Sequence, residues 1–170
     1  MLGQRKARCT LESMTRPRDP RVRLATVEDA GTAARLMHRF NTEYDEDIDP
    51  VEVLEPRYRT QLERGDLVVL LGGDGPDGFA QLRFKSQIYS DAPDSYLEEL
   101  YVVPDRRGEG LGRALLEAAM DAARDGGADH IDLGTSEDDT EARSLYESAG
   151  FTNREGRPDG PVMLYYEREL

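Results

Sequence analysis

The stretch from Val103 to Leu116 constrains the fold more than any other part of the sequence. A run rich in β-branched and aromatic residues ends at its start, three alternating glycines follow, and apolar residues at helical spacing come directly after them. A strand that passes through a tight turn into an amphipathic helix is typical of a mixed α/β protein. The glycines (Gly108, Gly110 and Gly112) let backbone N–H groups approach a ligand, and the start of a helix adds unpaired donors. The stretch therefore predicts an anion site, with phosphate or pyrophosphate as the favoured ligand.

The spacing of this turn argues against two common nucleotide-binding motifs. A Walker loop ends in Gly-Lys-Ser/Thr, but here Arg113 follows Gly112. A dinucleotide fingerprint would place its third glycine at the position that Arg113 occupies. Arg106 and Arg107 precede the turn and supply positive charge, which an acidic protein would need to hold an anion. A turn that binds nothing is the alternative, but it does not account for the flanking arginines.

The rest of the sequence predicts one domain of alternating short strands and amphipathic helices. Strands are expected at 22–25, 67–71, 79–84, 96–103, 131–133 and 162–167. Helices are expected at 26–41, at 51–64, from Leu111 to the pair Gly126-Gly127, and from a cap at Asp139 to Gly150. Pro56 is expected to interrupt the second helix or to delay its start. Residues 1–19 have no apolar periodicity, so we expect a disordered basic tail before a single domain at 20–170.

Charge and residue usage exclude several functions. The chain has 22 Lys and Arg against 35 Asp and Glu, a net charge of −13. Such acidity argues against nucleic acid or an anionic membrane as a partner and suits a cationic substrate, although solubility alone would also explain it. No apolar run approaches the roughly 20 residues of a membrane helix. One cysteine (Cys9, too remote for an acyl carrier) and two histidines predict no disulfide, no metal site and a cytoplasmic protein.

Two motifs resemble those of a known family. Arg107-x-x-Gly110-x-Gly112, after a strand that ends in Val-x-Pro, resembles the acetyl-CoA signature of the GNAT N-acetyltransferase superfamily. The second signature of that family is similar to the segment 145–151, Leu-Tyr-Glu-Ser-Ala-Gly-Phe, and the resemblance spans about residues 21–168. It implies an α/β GNAT fold, a mixed and mostly antiparallel sheet flanked by helices and splayed at the acetyl-CoA site. It also implies acetyl-CoA as co-substrate, no metal and a possible homodimer.

The resemblance implies a set of cofactor-binding residues. The strand backbone that would pair with the pantetheine arm is that of Leu100, Tyr101 and Val102. The turn that would bind the pyrophosphate comprises Gly108, Glu109, Gly110, Leu111, Gly112 and Arg113, and Arg107 is a further cofactor-binding candidate. Asp139 is a further candidate, but many family members carry asparagine at its position, and a carboxylate would sit less easily beside the cofactor.

Acetyl transfer to an amine needs a base and an acid. An alkylammonium has a pKa of about 10, so a group must take its proton, and another should protonate the departing thiolate. Tyr146 is the candidate acid, with a core tyrosine as the alternative. Neighbouring strand residues face opposite sides, so one of Glu98 and Glu99 should face the substrate. Similarity to the spermidine/spermine acetyltransferases favours Glu98 as base, while Glu99 would bind substrate charge or be solvated.

The acceptor is expected to be a small cationic amine, a polyamine or an aminoglycoside. The acidic turn at 43–49 falls where this superfamily shapes its acceptor site, so Tyr44, Asp45 and Glu46 are candidate substrate-binding residues, although such a charge run is more often simply solvated. The pair Asp138-Asp139 also resembles some aminoglycoside acetyltransferases. Transfer would be direct, in a ternary complex. The alternatives are a peptide or protein N-terminal acceptor, a non-catalytic acyl-CoA-binding module, and a nucleic-acid-binding protein led by the basic tail.

Overall fold

The computed structural model describes residue 14 and residues 16–168, in two compact units that divide between Leu133 and Gly134. Most of the expected basic tail, with Cys9, lies outside the described residues. The first unit contains the strands β1 (Val22–Leu24), β2 (Val68–Gly72), β3 (Gly78–Lys85), β4 (Asp94–Val102) and β5 (His130–Leu133), and the helices α1 (Ala30–Glu43), α2 (Val51–Arg64) and α3 (Leu111–Asp125). The second unit contains the helix α4 (Thr140–Ser148).

The five strands form one mixed sheet in the order β1-β2-β3-β4-β5. The first four pair antiparallel, and β5 runs parallel to β4. β5 pairs only with Asp94–Leu97, the first half of β4. Among the described residues, the second half of β4 has no strand on that side, so the sheet is open there. The expected α/β fold class, a mixed and mostly antiparallel sheet flanked by helices, is confirmed.

Helices α1 and α2 cover one face of the sheet. Alternate residues of a strand face the same side, and the buried cluster on this side includes Val69 and Leu71 of β2, Phe79 of β3 and Tyr101 of β4. The helices supply small, branched and aromatic side chains to the same cluster: Ala30, Ala33, Ala34, Leu36, Leu54, Tyr58 and Leu62. This face also holds the polar residues of β3 and β4 that are described below.

Two glycines let α3 pack closely against the sheet. Gly72 and Gly78 are register partners at adjoining ends of β2 and β3. A Cβ at Gly72 would lie 3.0 Å from Leu111 and 3.1 Å from Leu115 of α3, and a Cβ at Gly78 would also lie 3.1 Å from Leu115. The first two turns of α3 are therefore held against the end of the sheet, which fixes the position of the turn before them.

Three sequence predictions are corrected by the structure. The last expected strand, 162–167, is wrong: only Val162 makes a bridge, to Arg154, and residues 163–168 are not a strand. β propensity favours an extended backbone, but a strand also needs a partner for its hydrogen bonds. Pro56 neither interrupts nor delays α2, because it lies on the exposed face of the helix, where water can satisfy the carbonyl that loses its N–H partner. The first helix, expected at 26–41, runs from Ala30 to Glu43, and a 3-10 turn at Val27–Asp29 precedes it.

Candidate active site

A single 3-10 turn at Pro104–Arg106 follows β4. The glycine loop, residues 107–113, comes next and leads into the first turn of α3. Gly108 and Gly110 have φ of +76° and +79°, a left-handed conformation that glycine adopts without strain. The first intrahelical bond of α3 joins the amide of Ala114 to the carbonyl of Gly110 at 3.1 Å. The amides of Leu111 and Gly112 therefore have no intrahelical acceptor. A Cβ at Gly108 or Gly110 would meet no atom within 4 Å, so the loop backbone is open to a ligand of phosphate type.

The arginines before the glycines are held by carboxylates of other elements. Arg106 contacts Asp77, in the β2–β3 turn, at 2.7 Å and Glu109 at 3.0 Å. Arg107 contacts Glu43, the last residue of α1, at 2.6 Å. These ion pairs join the glycine loop to two parts of the sheet and helix layer. An anion that binds Arg107 would have to compete with Glu43 for its guanidinium.

The open edge of β4 presents backbone groups of alternate residues. The amide of Val103 donates to Asp77, on the β3 side, at 2.9 Å. Because successive residues alternate sides, Tyr101 directs its N–H and C=O toward β3, whereas Leu100 and Val102 direct theirs to the open edge. Arg107 Nε donates to the carbonyl oxygen of Val102 at 2.9 Å. Of the three strand residues expected to meet a pantetheine arm, Leu100 and Val102 thus have the suitable orientation.

A β-bulge in β4 turns both candidate carboxylates to the same face. Gln81 of β3 pairs with Glu99, and the next residue of β3 pairs with Leu97, which leaves Glu98 without a register partner. In a regular strand Glu98 and Glu99 would face opposite sides. Here the charges of both carboxylates act on Tyr58 of α2. The expectation that one of the two faces away is wrong, because it assumed a regular strand.

Glu98 belongs to a network of polar side chains between β3, β4 and α2. Its carboxylate accepts from Gln81 Nε2 at 2.7 Å and from Arg83 Nε at 2.6 Å. Gln81 Oε1 accepts from the hydroxyl of Tyr58 at 2.7 Å, and Arg83 also donates to Gln61. Both oxygens of Glu98 are therefore engaged, one of them by an ion pair with Arg83.

The carboxylate of Glu99 has a raised pKa. Burial, and then the negative charge of Glu98, raise the pKa of Glu99 from 4.5 to about 7. Its carboxylate has no hydrogen-bond or ion-pair partner among the residues that the structure describes. Burial likewise raises the pKa of the Tyr58 hydroxyl, with the charges of Glu99 and Glu98 adding to the effect. The two adjacent carboxylates thus differ in their surroundings: Glu98 is engaged by Gln81 and Arg83, whereas Glu99, without such a partner among the described residues, can take or release a proton near neutral pH.

The acidic turn at 43–49 contacts the site through Glu43, which is also the last residue of α1. The hydroxyl of Tyr101, two residues after Glu99 on the same face, donates to Glu43 at 2.7 Å. Burial and this carboxylate raise the pKa of Tyr101 to about 12. Tyr44 packs its ring edge-on against Phe40, with centroids 5.3 Å apart, and 53% of the residue is exposed. Asp45 and Glu46 are also exposed, so they are available to a solvent-borne cation but are not brought into contact with Glu99.

The candidate acid lies in the second unit. Tyr146 is half-buried on α4, and its ring packs edge-on against Phe151 at 6.0 Å between centroids. Asp139 is the N-cap of α4, and its side chain accepts from the amide of Ala142 at 3.0 Å. Asp139 therefore has a structural role at the start of α4. A role in cofactor binding stays a prediction.

Comparison with known proteins decides the family. The model of the acetyltransferase (GNAT) family matches residues 21–151. The chain belongs to this family. The N-acetyltransferase YhfO of Bacillus subtilis, itself uncharacterized, is 32% identical over 137 residues, 79% of this chain and 91% of that protein. Aminoglycoside N(6')-acetyltransferase type 1 of Stenotrophomonas maltophilia is 31% identical over 140 residues, 80% of this chain and 88% of that protein.

Solved structures agree with the family. A crystal structure from Arthrobacter sp. FB24, assigned as an acetyltransferase, superimposes with a TM-score of 0.81 at 42% identity and covers 88% of this chain and 95% of that chain. The resemblance to the GNAT superfamily is confirmed, and so is the prediction that the chain is an acetyl-CoA-dependent N-acetyltransferase. Among the described residues, no helix is long and apolar enough to cross a membrane, and no group of side chains is suited to a metal ion.

The sequence reasoning missed several residues of this GNAT site. Gln81 and Arg83 hold Glu98, Tyr58 completes the network, and Glu43 links α1 to the glycine loop. Gln81 and Arg83 alternate with Ala80 and Leu82 along β3, on the face that also carries Phe79. Polar side chains on the apolar face of a strand are the signal that could have indicated them.

Proposed function

We propose that the chain transfers the acetyl group of acetyl-CoA directly to the primary amine of a small cationic acceptor, with Glu99 as the general base. The observation that carries this proposal is the half-buried Glu99 carboxylate, which lacks a partner among the described residues and has a pKa of about 7. A base whose pKa lies near the working pH is both unprotonated often enough and basic enough to accept a proton. An ammonium acceptor would lose its proton to Glu99, directly or through water.

The cofactor is assigned to the glycine loop and the open edge of β4. The loop amides would bind the pyrophosphate, because the helix-start N–H groups of Leu111 and Gly112 and the left-handed glycines Gly108 and Gly110 leave the backbone accessible. Leu100 and Val102 would offer backbone hydrogen bonds to the pantetheine arm. Bound acetyl-CoA supplies the thioester. The acceptor nitrogen forms the new bond to the acetyl carbon, the carbon–sulfur bond breaks, and Tyr146 gives its proton to the departing sulfur.

Glu98 is the alternative base, and its surroundings argue for another role. Both of its oxygens already accept bonds, from Arg83 at 2.6 Å and from Gln81 at 2.7 Å, so a substrate ammonium would have to displace one of these donors to reach it. Its negative charge instead adds to the basicity of Glu99. The preference for Glu98 came from a family resemblance, and the hydrogen bonds of this chain favour its neighbour.

An aminoglycoside or a polyamine is the acceptor class that we favour. The relative from Stenotrophomonas is an aminoglycoside N(6')-acetyltransferase, and a net charge of −13 attracts polycations. Tyr44, Asp45 and Glu46 are exposed beside Glu43 and could contact a second ammonium of the acceptor. A peptide or protein N-terminus is the second acceptor class. A cytoplasmic location and a homodimer remain predictions.

Release of thiol from acetyl-CoA against polyamines, aminoglycosides, amino acids and short peptides tests this proposal. Glu99→Gln should lower kcat about 100-fold to 10,000-fold with the best acceptor, while Glu98→Gln keeps most of the activity. Tyr146→Phe should lower kcat with little change in the KM for acetyl-CoA. Loss of activity in Glu98→Gln with retention in Glu99→Gln would assign the base to Glu98. Activity only with peptides would overturn the acceptor class.

A further inference from the structure

Arg21, which precedes β1, reaches across to the glycine loop. Its Nη1 donates to the carbonyl oxygen of Glu109 at 3.1 Å. Arg21 is itself fixed by Asp19: its backbone amide, Nε and Nη2 donate to that carboxylate at 2.9, 3.1 and 2.7 Å. The side chain of Glu109 is held separately by Arg106 at 3.0 Å. Residue 109 is thus anchored at both its carbonyl and its carboxylate.

A bond to the Glu109 carbonyl also orients the neighbouring amide. The C=O of Glu109 and the N–H of Gly110 belong to one planar trans peptide, so they point in opposite directions. The φ of +79° at Gly110 is open to glycine and to few other residues, and a glycine without such an anchor could rotate this peptide at little cost. Holding the carbonyl on the Arg21 side therefore turns the Gly110 N–H to the other side of the loop.

We propose that Arg21 is a positioning residue for the cofactor: clamped by Asp19, it binds the Glu109 carbonyl and thereby aims the Gly110 amide at the pyrophosphate of acetyl-CoA. This inference rests on the proposed pyrophosphate site at the glycine loop. Arg21 is not required to touch the cofactor. The Gly110 N–H is then oriented before the cofactor binds, which lowers the entropy cost of binding.

Replacing Asp19 distinguishes an effect of the Arg21 charge from an effect of the Arg21 position on acetyl-CoA binding. If Arg21 acted only as a positive charge near the pyrophosphate, removing the negative charge of Asp19 would strengthen acetyl-CoA binding. If Arg21 acts as a clamp, Asp19→Asn loosens the guanidinium and weakens acetyl-CoA binding. Arg23 provides a matched control, because it also belongs to this strand region and is paired with an aspartate, Asp29, at 2.6 Å.

Calorimetric binding of acetyl-CoA and of S-acetyl-pantetheine, which lacks the pyrophosphate, tests the clamp. Arg21→Met should weaken acetyl-CoA binding about threefold to tenfold, the equivalent of part of one hydrogen bond to a charged group, and should leave S-acetyl-pantetheine binding unchanged. Asp19→Asn should weaken acetyl-CoA binding by a smaller factor. Arg23→Met should change neither, and melting temperatures should confirm that all variants fold.

The outcomes separate this inference from the proposed function. Wild-type affinity for acetyl-CoA in Arg21→Met, equal losses for both ligands, or tighter binding in Asp19→Asn would each overturn the clamp and leave the pyrophosphate site in place. A wild-type protein that binds acetyl-CoA no better than S-acetyl-pantetheine would overturn the pyrophosphate site itself, and the clamp with it.

Discussion

Replacing Glu99 with glutamine is expected to stabilise the folded protein at high pH. The pKa of Glu99 is about 7 in the folded protein, against 4.5 for an ordinary glutamate. The folded state therefore holds this proton more tightly than the unfolded state, and stability is lost as the pH rises from 4.5 through about 7. Glutamine carries no charge, so the variant avoids this loss.

The size of the effect follows from the shift and the exposure of the side chain. In a fully enclosed site, a rise from 4.5 to about 7 would cost about 3 kcal/mol at pH 8. Glu99 is only half-buried, and solvent screening reduces the cost to about 1–2 kcal/mol. For a chain of this length, that corresponds to a gain of roughly 2–8 °C in melting temperature at pH 8.

Urea unfolding at pH 5.5 and pH 8 measures this directly and needs no knowledge of the acceptor. Glu98→Gln is the matched control, because it makes the same substitution at the adjacent carboxylate. It breaks the ion pair with Arg83, so it should be destabilising at pH 8. If Glu99→Gln gives the same change in unfolding free energy at both pH values, or is less stable than wild type at pH 8, the account of Glu99 as a half-buried carboxylate of raised pKa is refuted.

Three further substitutions test particular contacts. Asp139→Ala should lower the unfolding free energy by about 1 kcal/mol in a denaturant titration, whereas Asp139→Asn, which can still cap α4, should change it little. Gly110→Ala should lower the unfolding free energy by about 1–2 kcal/mol, because alanine is strained at a left-handed φ, and should also weaken acetyl-CoA binding. Gly65→Ala, with a φ of +68° at the end of α2, should lower the unfolding free energy by the same amount but leave the calorimetric affinity for acetyl-CoA unchanged. Tyr58→Phe removes the donor to Gln81 and should cost about 1–3 kcal/mol, again by denaturant titration; no loss would mean that water replaces the hydroxyl.

Local sequence rules predicted most of the fold because most of its elements obey them. The helix expected at 51–64 agrees residue for residue with α2, and the strand-to-helix turn at the glycines follows from spacing alone. The strand expected at 162–167 had the right composition, but within its unit only Val162 forms a bridge, with Arg154. A pattern within one segment cannot indicate which partner, if any, that segment will find.

The site was harder to predict for the same reason. Glu98 and Glu99 are neighbours in sequence, and only their register against β3 reveals the bulge that turns both to one face. The contacts that distinguish them come from Gln81 and Arg83, 15–17 residues earlier. The sequence identified the pair, but the choice between them depends on burial and on hydrogen bonds formed across the sheet.

The pH dependence of kcat/KM in wild type and Glu98→Gln tests the central claim, that Glu99 is the base, most directly. The charge of Glu98, on the same strand, acts on Glu99. Both carboxylates and Arg83 of β3 act on Tyr58 of α2, and Tyr101 lies two residues further along β4. Wild type should lose activity below a pKa near 7, the value for Glu99. Glu98→Gln removes a like charge but leaves burial, the larger cause, so it should stay active with the midpoint of its acidic limb moved to lower pH by less than half of the full shift. An inactive Glu98→Gln, or one whose acidic limb stays in place or moves to higher pH, would contradict the account.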